Sequence, residues 1–238
     1  MSTVHQLIFA QPKPGMSEPD FWDYWLHVHA VRYASQIPQI RRYMVCTRVD
    51  YRDCGAVPPP FSGVAEIWLR AEEQIASLQS EQFLEGARAD EPKWAAFWAT
   101  LALDTDAFVI EEGPPLTPSP TWIKLYRLLR RREGVPLPLF RDFALGRYAQ
   151  QVRRLPGLLR YLQCHCRDGL YKIGEPRFDA VEQWWFEDTQ ALQNALGSAE
   201  FSSGVEPLQE FFINPAHLLT LAVSEHWIIG PEERGEIK

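Results

Sequence analysis

The chain has 238 residues, with 31 acidic against 24 basic side chains, a formal net charge of −7 at pH 7, 46% hydrophobic and 23% charged residues. This is the composition of a globular protein of one large or two small domains. It argues against a disordered chain, and against nucleic acid or an anionic membrane as partner, since both ask for a basic face.

No apolar run approaches the roughly 20 residues that a bilayer-spanning helix needs, and no signal peptide follows Met1. The four cysteines, Cys46, Cys54, Cys164 and Cys166, contain no C-x-x-C pair and read as reduced thiols of a cytoplasmic protein.

Residues 4–10 read as an apolar strand on which His5 alternates with Leu7 and Phe9, which makes His5 a candidate pocket residue. Residues 12–15 break it. Ser17, with Asp20 three residues on, then caps a helix that runs to about residue 36, before Pro38. Phe21, Trp22, Trp25, His29 and Tyr33 recur at spacings of three and four, so they share the face that packs on the sheet. An imidazole buried there is biased toward its neutral form, the form a general base needs. A core histidine satisfied by a backbone carbonyl is the competing reading. His27 lies about 200° round the helix from His29, which places it on the surface and argues against a two-histidine metal site.

Strands are expected at residues 42–49, 64–69 and 107–111, with a second helix at 72–85. Tyr43 opens the second strand. Its phenol can donate to a carbonyl or enolate, or simply pack. On the third strand the period of two puts Val64, Glu66 and Trp68 on one face. A carboxylate there needs a partner. It orients His29, polarises a substrate hydroxyl, or pairs with Arg42 on the next strand.

Residues 113–121 are too rich in proline for a helix or central strand and read as a linker. Beyond them the pattern repeats. Pro38 and Tyr43 match Pro156 and Tyr161 at an offset of 118, as Trp25 matches Phe143, and the segment at 61–69 matches that at 178–186 at an offset of 117. Each copy reads β-α-β-β-α-β. The expected class is therefore α+β: two tandem ferredoxin-like domains, 1–112 and 122–238. Each sheet has a bare face, and the two cover each other sheet to sheet as an internal pseudo-dimeric α/β barrel. This leaves room for a further homodimer.

The offset of 118 sets Arg147 where the first copy has His29, and the offset of 117 sets Gln183 opposite Glu66. The second copy has thus lost the candidate base and reads as a degenerate scaffold, unless Arg147 marks a second pocket for an anionic group. On the strand Cys164-His165-Cys166 the two thiols share one face and His165 takes the other. No second ligand cluster accompanies them, so no structural metal is expected. The run Arg130-Arg131-Arg132 reads as a solvated loop. No phosphate loop, dinucleotide fingerprint or nucleophile elbow is present.

Tyr24-Trp25-Leu26-His27-Val28-His29-Ala30, followed by Ile37-Pro38-Gln39-Ile40-Arg41-Arg42-Tyr43, resembles the EthD family of dimeric α/β-barrel proteins. So do Lys13-Pro14-Gly15-Met16-Ser17 before it and Gly63-Val64-Ala65-Glu66-Ile67-Trp68 after it. The resemblance covers most of residues 4–112 and, more weakly, 122–229. It places His29 on the family histidine. It implies a cofactor-independent enzyme acting on a small hydrophobic, aromatic or polyketide-like substrate by cyclisation, dehydration, isomerisation or decarboxylation, in secondary metabolism or aromatic catabolism. In that reading His29 moves a proton beside a carbonyl, Tyr43 or Glu66 stabilises the enolate, and Trp22, Trp25, Tyr33, Trp68 and His5 line the pocket, with no metal. A cofactor-free monooxygenase in the same pocket, a non-catalytic carrier, and a haem or metal protein with His29 as ligand are the alternatives, and fold alone does not choose among them.

Overall fold

The computed structural model describes residues 2–51 and 59–235, so Cys54 lies outside the described residues. Alternating apolar side chains build eight strands: β1 (Thr3–Ala10), β2 (Arg42–Arg48), β3 (Gly63–Arg70), β4 (Leu101–Glu111), β5 (Ile123–Leu129), β6 (Arg160–Cys166), β7 (Ala180–Phe186) and β8 (Leu219–Ile229). They close into one barrel in the order β1-β3-β2-β8-β5-β7-β6-β4, with every pairing antiparallel. Closure leaves no unpaired sheet edge.

Each half of the chain supplies four neighbouring strands, β4-β1-β3-β2 and β8-β5-β7-β6. The two sets are hydrogen-bonded to each other at β2–β8 and β4–β6. The mutual covering of two bare faces therefore takes the form of a single closed sheet.

The period of two sorts each strand between an inner and an outer face. Leu7, Phe9, Met44, Cys46, Val64 and Leu103 point inward and meet Tyr126, Cys164, Val181 and Val223 from the other half. Val4, Ala10, Tyr43, Val45, Ala65 and Ile67 point outward under a helical layer that contributes Phe21, Trp25, Ala30, Ala34 and Trp94. A second helical layer, with Phe140, Ala144, Tyr148 and Phe212, covers Leu125, Tyr161 and Trp184.

The helix Glu18–Tyr24 starts where Ser17 Oγ accepts the Asp20 backbone N–H. It continues through a widened turn, Trp25–His29, where the Ala30 N–H reaches back to the Trp25 carbonyl. Its counterpart in the second half is Leu137–Phe143 with a widened turn at Ala144–Tyr148. Superposing these elements sets Phe21 on Phe140, Trp25 on Ala144 and His29 on Tyr148. The turn from this helix into β6 is one residue shorter than the one into β2. This corrects the expectation for position 147: Tyr148 occupies the place of His29, and Arg147 is exposed.

Two further boundaries differ from the sequence reading. The second helix (Gln74–Gln79) breaks at Ser80, resumes at Gln82–Ala87 and runs on through Arg88–Asp90. β4 begins at Leu101, six residues before the expected start. No helix among the described residues is long and apolar enough to cross a membrane.

Candidate active site in the helical layer of the first half

Between the outer face of the first-half sheet and its helices lies a cavity of about 390 Å³, within the range of small-molecule sites. Its floor is apolar, with Ile8, Ala10, Ala65, Ile67 and Leu69 from the strands and Ile37 and Ile40 from the turn before β2. The polar groups on its wall include His29, Tyr43, Gln6, Arg88 and Glu91.

His29 is 6% exposed, and its Nδ1 lies 3.0 Å from Asp90 Oδ2. Asp90 is itself 1% exposed, and its Oδ1 accepts from Tyr24 Oη at 2.9 Å and faces Lys93 Nζ at 3.1 Å. Burial works to raise the Asp90 carboxyl, but hydrogen bonds from His29, Lys93 and Tyr24 outweigh it and hold it below the usual carboxylate range. Burial also pulls His29 below its ordinary value, against the upward pull of Asp90. The pair is therefore a carboxylate and a neutral imidazole. An Nδ1–H donated to the carboxylate leaves Nε2 as the basic nitrogen of a residue on the cavity wall. The Trp94 ring packs 4.6 Å from the imidazole and 4.9 Å from Trp25. Trp94 Nε1 is buried with no partner.

Tyr43, 1% exposed, accepts from Trp25 Nε1 at 3.3 Å. Burial pushes its phenol well up, so it stays protonated and able to donate. Arg88 donates to Glu91 at 2.6 Å, and burial raises the Glu91 carboxyl against that pairing.

Of the residues singled out in the sequence, His29, Trp25 and Tyr43 come together on this cavity. Trp22 and Tyr33 pack at the margin of the same layer and do not line it: Trp22 Nε1 donates to the Ser62 carbonyl, and Tyr33 lies under Lys93. His5, Glu66 and Trp68 are on the other side of the sheet. Glu66 faces His5 at 2.5 Å inside the barrel and accepts from Lys124, Tyr126 and Gln183. Trp68 stacks on His5 at 4.4 Å, and Arg42 lies over Trp68 rather than beside Glu66.

The expectation that Glu66 joins His29 or pairs with Arg42 is thus corrected. The cause is register: Glu66 is opposite inward Met44, and outward Tyr43 is opposite Ile67. His27 is exposed and bonded to Asp23 at 2.9 Å. Cys164 and Cys166 face the barrel interior, while His165 faces outward to Gln163 and is pulled down to about 4 by burial. Among the described residues no group of three or more His, Cys, Asp or Glu side chains is placed to hold a metal ion.

Sequence reasoning missed Asp90, Glu91 and Trp94. They lie between the expected second helix and fourth strand, in a stretch that was given no element, and nothing local ties Asp90 to a histidine 61 residues away. The spacing of Ala87, Glu91 and Trp94 by four and three was the available signal of a continuing helical face.

The corresponding layer of the second half is filled. Arg127 and Glu182 are cross-strand partners, as Ile8 and Ala65 are in the first half. Arg127 donates to Tyr148 Oη at 2.7 Å and to Glu182 at 2.9 Å. Tyr148 and Tyr161 both donate to Glu182, at 3.1 and 2.5 Å.

Residues 13–97 match the EthD domain family model. The structure resembles that of an anthrone oxidase-like protein (TM-score 0.64, 10% identity, covering 94% of this chain and 92% of the other). It also resembles a proposed monooxygenase from Fusobacterium nucleatum subsp. nucleatum (0.59, 9%, 99% and 96%) and a chlorite dismutase variant from Candidatus Nitrospira defluvii (0.52, 10%, 93% and 91%). At these identities the likeness is one of fold. No curated protein matches the sequence. Over residues 13–97, then, the chain is similar to the EthD domain, in agreement with the motifs at residues 13–17, 24–43 and 63–68.

Proposed function

We propose that the chain is a cofactor-independent enzyme that binds a small aromatic or polyketide-like molecule in the first-half cavity and takes a proton from it with His29. One observation carries this reading: the buried His29–Asp90 pair, with His29 on the wall of a cavity whose floor is apolar. Asp90 fixes the tautomer, Nε2 accepts the proton from a carbon beside a carbonyl, and Tyr43 donates a hydrogen bond to the enolate oxygen. Proton transfer at such a centre serves cyclisation, dehydration, isomerisation and decarboxylation alike. The two halves, 1–112 and 122–238, are copies of one ferredoxin-like unit joined by residues 113–121, a reading supported by their matching strand orders. The second copy serves as scaffold.

Oxygenation is the second reading, favoured by fold neighbours named as an anthrone oxidase-like protein and a proposed monooxygenase. It uses the same first step. The anion left at a substrate methylene gives one electron to dioxygen, the two radicals combine into a peroxide anion there, that anion takes back the proton held by His29, and loss of water from the hydroperoxide leaves a carbonyl.

The test is turnover of a panel of phenols and tricyclic ketones, with oxygen uptake followed in parallel. General-base help contributes about 10²–10⁴-fold, so His29→Ala lowers turnover by that factor. A folded variant within about threefold of the parent removes His29 from the chemistry. The absorption spectrum of the purified protein comes first. An aromatic band alone supports the proposal, whereas a Soret or flavin band near one per chain overturns it.

A further inference from the structure

The barrel interior holds a cluster of ionisable groups that the cavity chemistry does not use. Glu66 of the first half, 1% exposed, takes hydrogen bonds from Lys124 and Tyr126 of the second half and faces His5. Lys124 Nζ also lies 2.5 Å from Glu225. The strand registers relate His5 to Lys124, Cys46 to Cys164 and Glu66 to Gln183. The contacts repeat accordingly: Cys164 Sγ lies 3.5 Å from His5 Nδ1, and Cys46 Sγ lies 3.8 Å from Lys124 Nζ. Glu66 and Gln183 are each other's counterparts, and they touch, Gln183 Nε2 donating to Glu66 Oε2 at 3.2 Å.

A position that touches its own counterpart meets itself whenever two like halves pair. Two first halves would set Glu66 against Glu66 in a water-free interior. Each Glu66 would keep its own His5, but a second His5 would stand where Lys124 does, and two carboxylates set against each other do not both ionise. We infer that Glu66 makes the inner face of the first half self-excluding, so that the partner it fits is the inner face of a second half, with neutral Gln183 on the axis and cationic Lys124 beside it. This pairing rule goes beyond the proposed chemistry and does not depend on it.

Gln183→Glu sets a second carboxyl against Glu66 inside the intact chain, with Lys124 still in place, and Gln183→Met removes the hydrogen bond without adding charge. At pH 7 the urea midpoint of Gln183→Glu falls well below that of Gln183→Met. The new pair of carboxyls holds a proton in the folded state at a pH where the unfolded chain has lost it. The gap therefore closes as the pH is lowered to about 5 and opens as the pH rises. Equal midpoints at pH 7, or a gap unchanged at pH 5, overturn the inference. A variant unfolded at pH 7 that folds at pH 5 supports it, and one unfolded at both overturns it. Full chain cut once within residues 113–121, mixed with a tagged copy and weighed by native mass spectrometry, is expected to exchange only as unlike pairs. A dimer of two first halves at neutral pH overturns the rule.

Discussion

Asp90 divides its oxygens between different donors: Oδ1 takes Tyr24 and Lys93, and Oδ2 takes His29. Asparagine would keep its oxygen toward Lys93, an obligatory donor, and turn its NH₂ toward His29. Nδ1 would then accept, the proton would move to Nε2, and the cavity would face an imidazole that no longer offers a lone pair. Asp90→Asn is therefore expected to lower kcat by about 10²–10⁴-fold with little change in KM. Steady-state kinetics beside His29→Ala check this, and a variant with parental kcat would reduce Asp90 to a packing role. Because burial lowers the His29 pKa, kcat/KM is expected to rise with pH along a limb below about 6.5 and to be flat across neutrality. A pH–rate profile whose limb lies above 7 would assign the base elsewhere. The buried face of His29 was legible in the sequence because helical spacing is local. Its partner was not, because a contact across 61 residues leaves no local period.

At the scale of elements, one steric exchange separates the two halves. The Trp25 indole lies against Gly63, where an added Cβ would come 2.9 Å from the ring and 2.6 Å from the Cys46 carbonyl oxygen. In the second half Ala144 and Ala180 take these positions. Gly63→Ala must push either the strand backbone or Trp25, and Trp25 forms a wall of the cavity. The expected result is a loss of about 1–3 kcal/mol in urea unfolding, as for other overpacked cores, together with a raised KM for the proposed substrates. Unchanged stability and KM would mean that the layer absorbs the methyl. Three of the first half's four strands were legible to within one or two residues because alternation is strong in them. β4 was read late, since Asp104 and Asp106 interrupt its leucines and look like a loop. The same alternation placed Glu66 and Trp68 on one face, but only the pairing of Tyr43 with Ile67 tells that this face is not the one Tyr43 shares.

For the whole molecule, the like strand order of the two halves was legible from the repeated offsets. Where the two halves differ was not, because the turn before β6 is one residue shorter than that before β2 and sets Tyr148, not Arg147, in the place of His29. The barrel closes around an ion cluster that spans both halves. Burial works to raise the Glu66 carboxyl, but Lys124 and His5 outweigh it and hold it far below the usual range. Lys124→Met leaves Glu66 with His5 and Glu225 with the indole N–H groups of Trp122 and Trp185, and removing one partner of a buried ion pair costs about 3–5 kcal/mol. The sign of the pH effect follows from the depressed carboxyl. Its contribution is present above the unfolded value of about 4.3 and is lost as pH falls through the folded one. Parent and variant should therefore differ most near pH 7 and converge below about pH 4, where Glu66 of the variant is protonated and the parent is losing its ion pair. Denaturant midpoints at the two pH values decide it. A gap that is constant with pH would mean that Lys124 stabilises the barrel by the packing of its buried stem rather than by its charge.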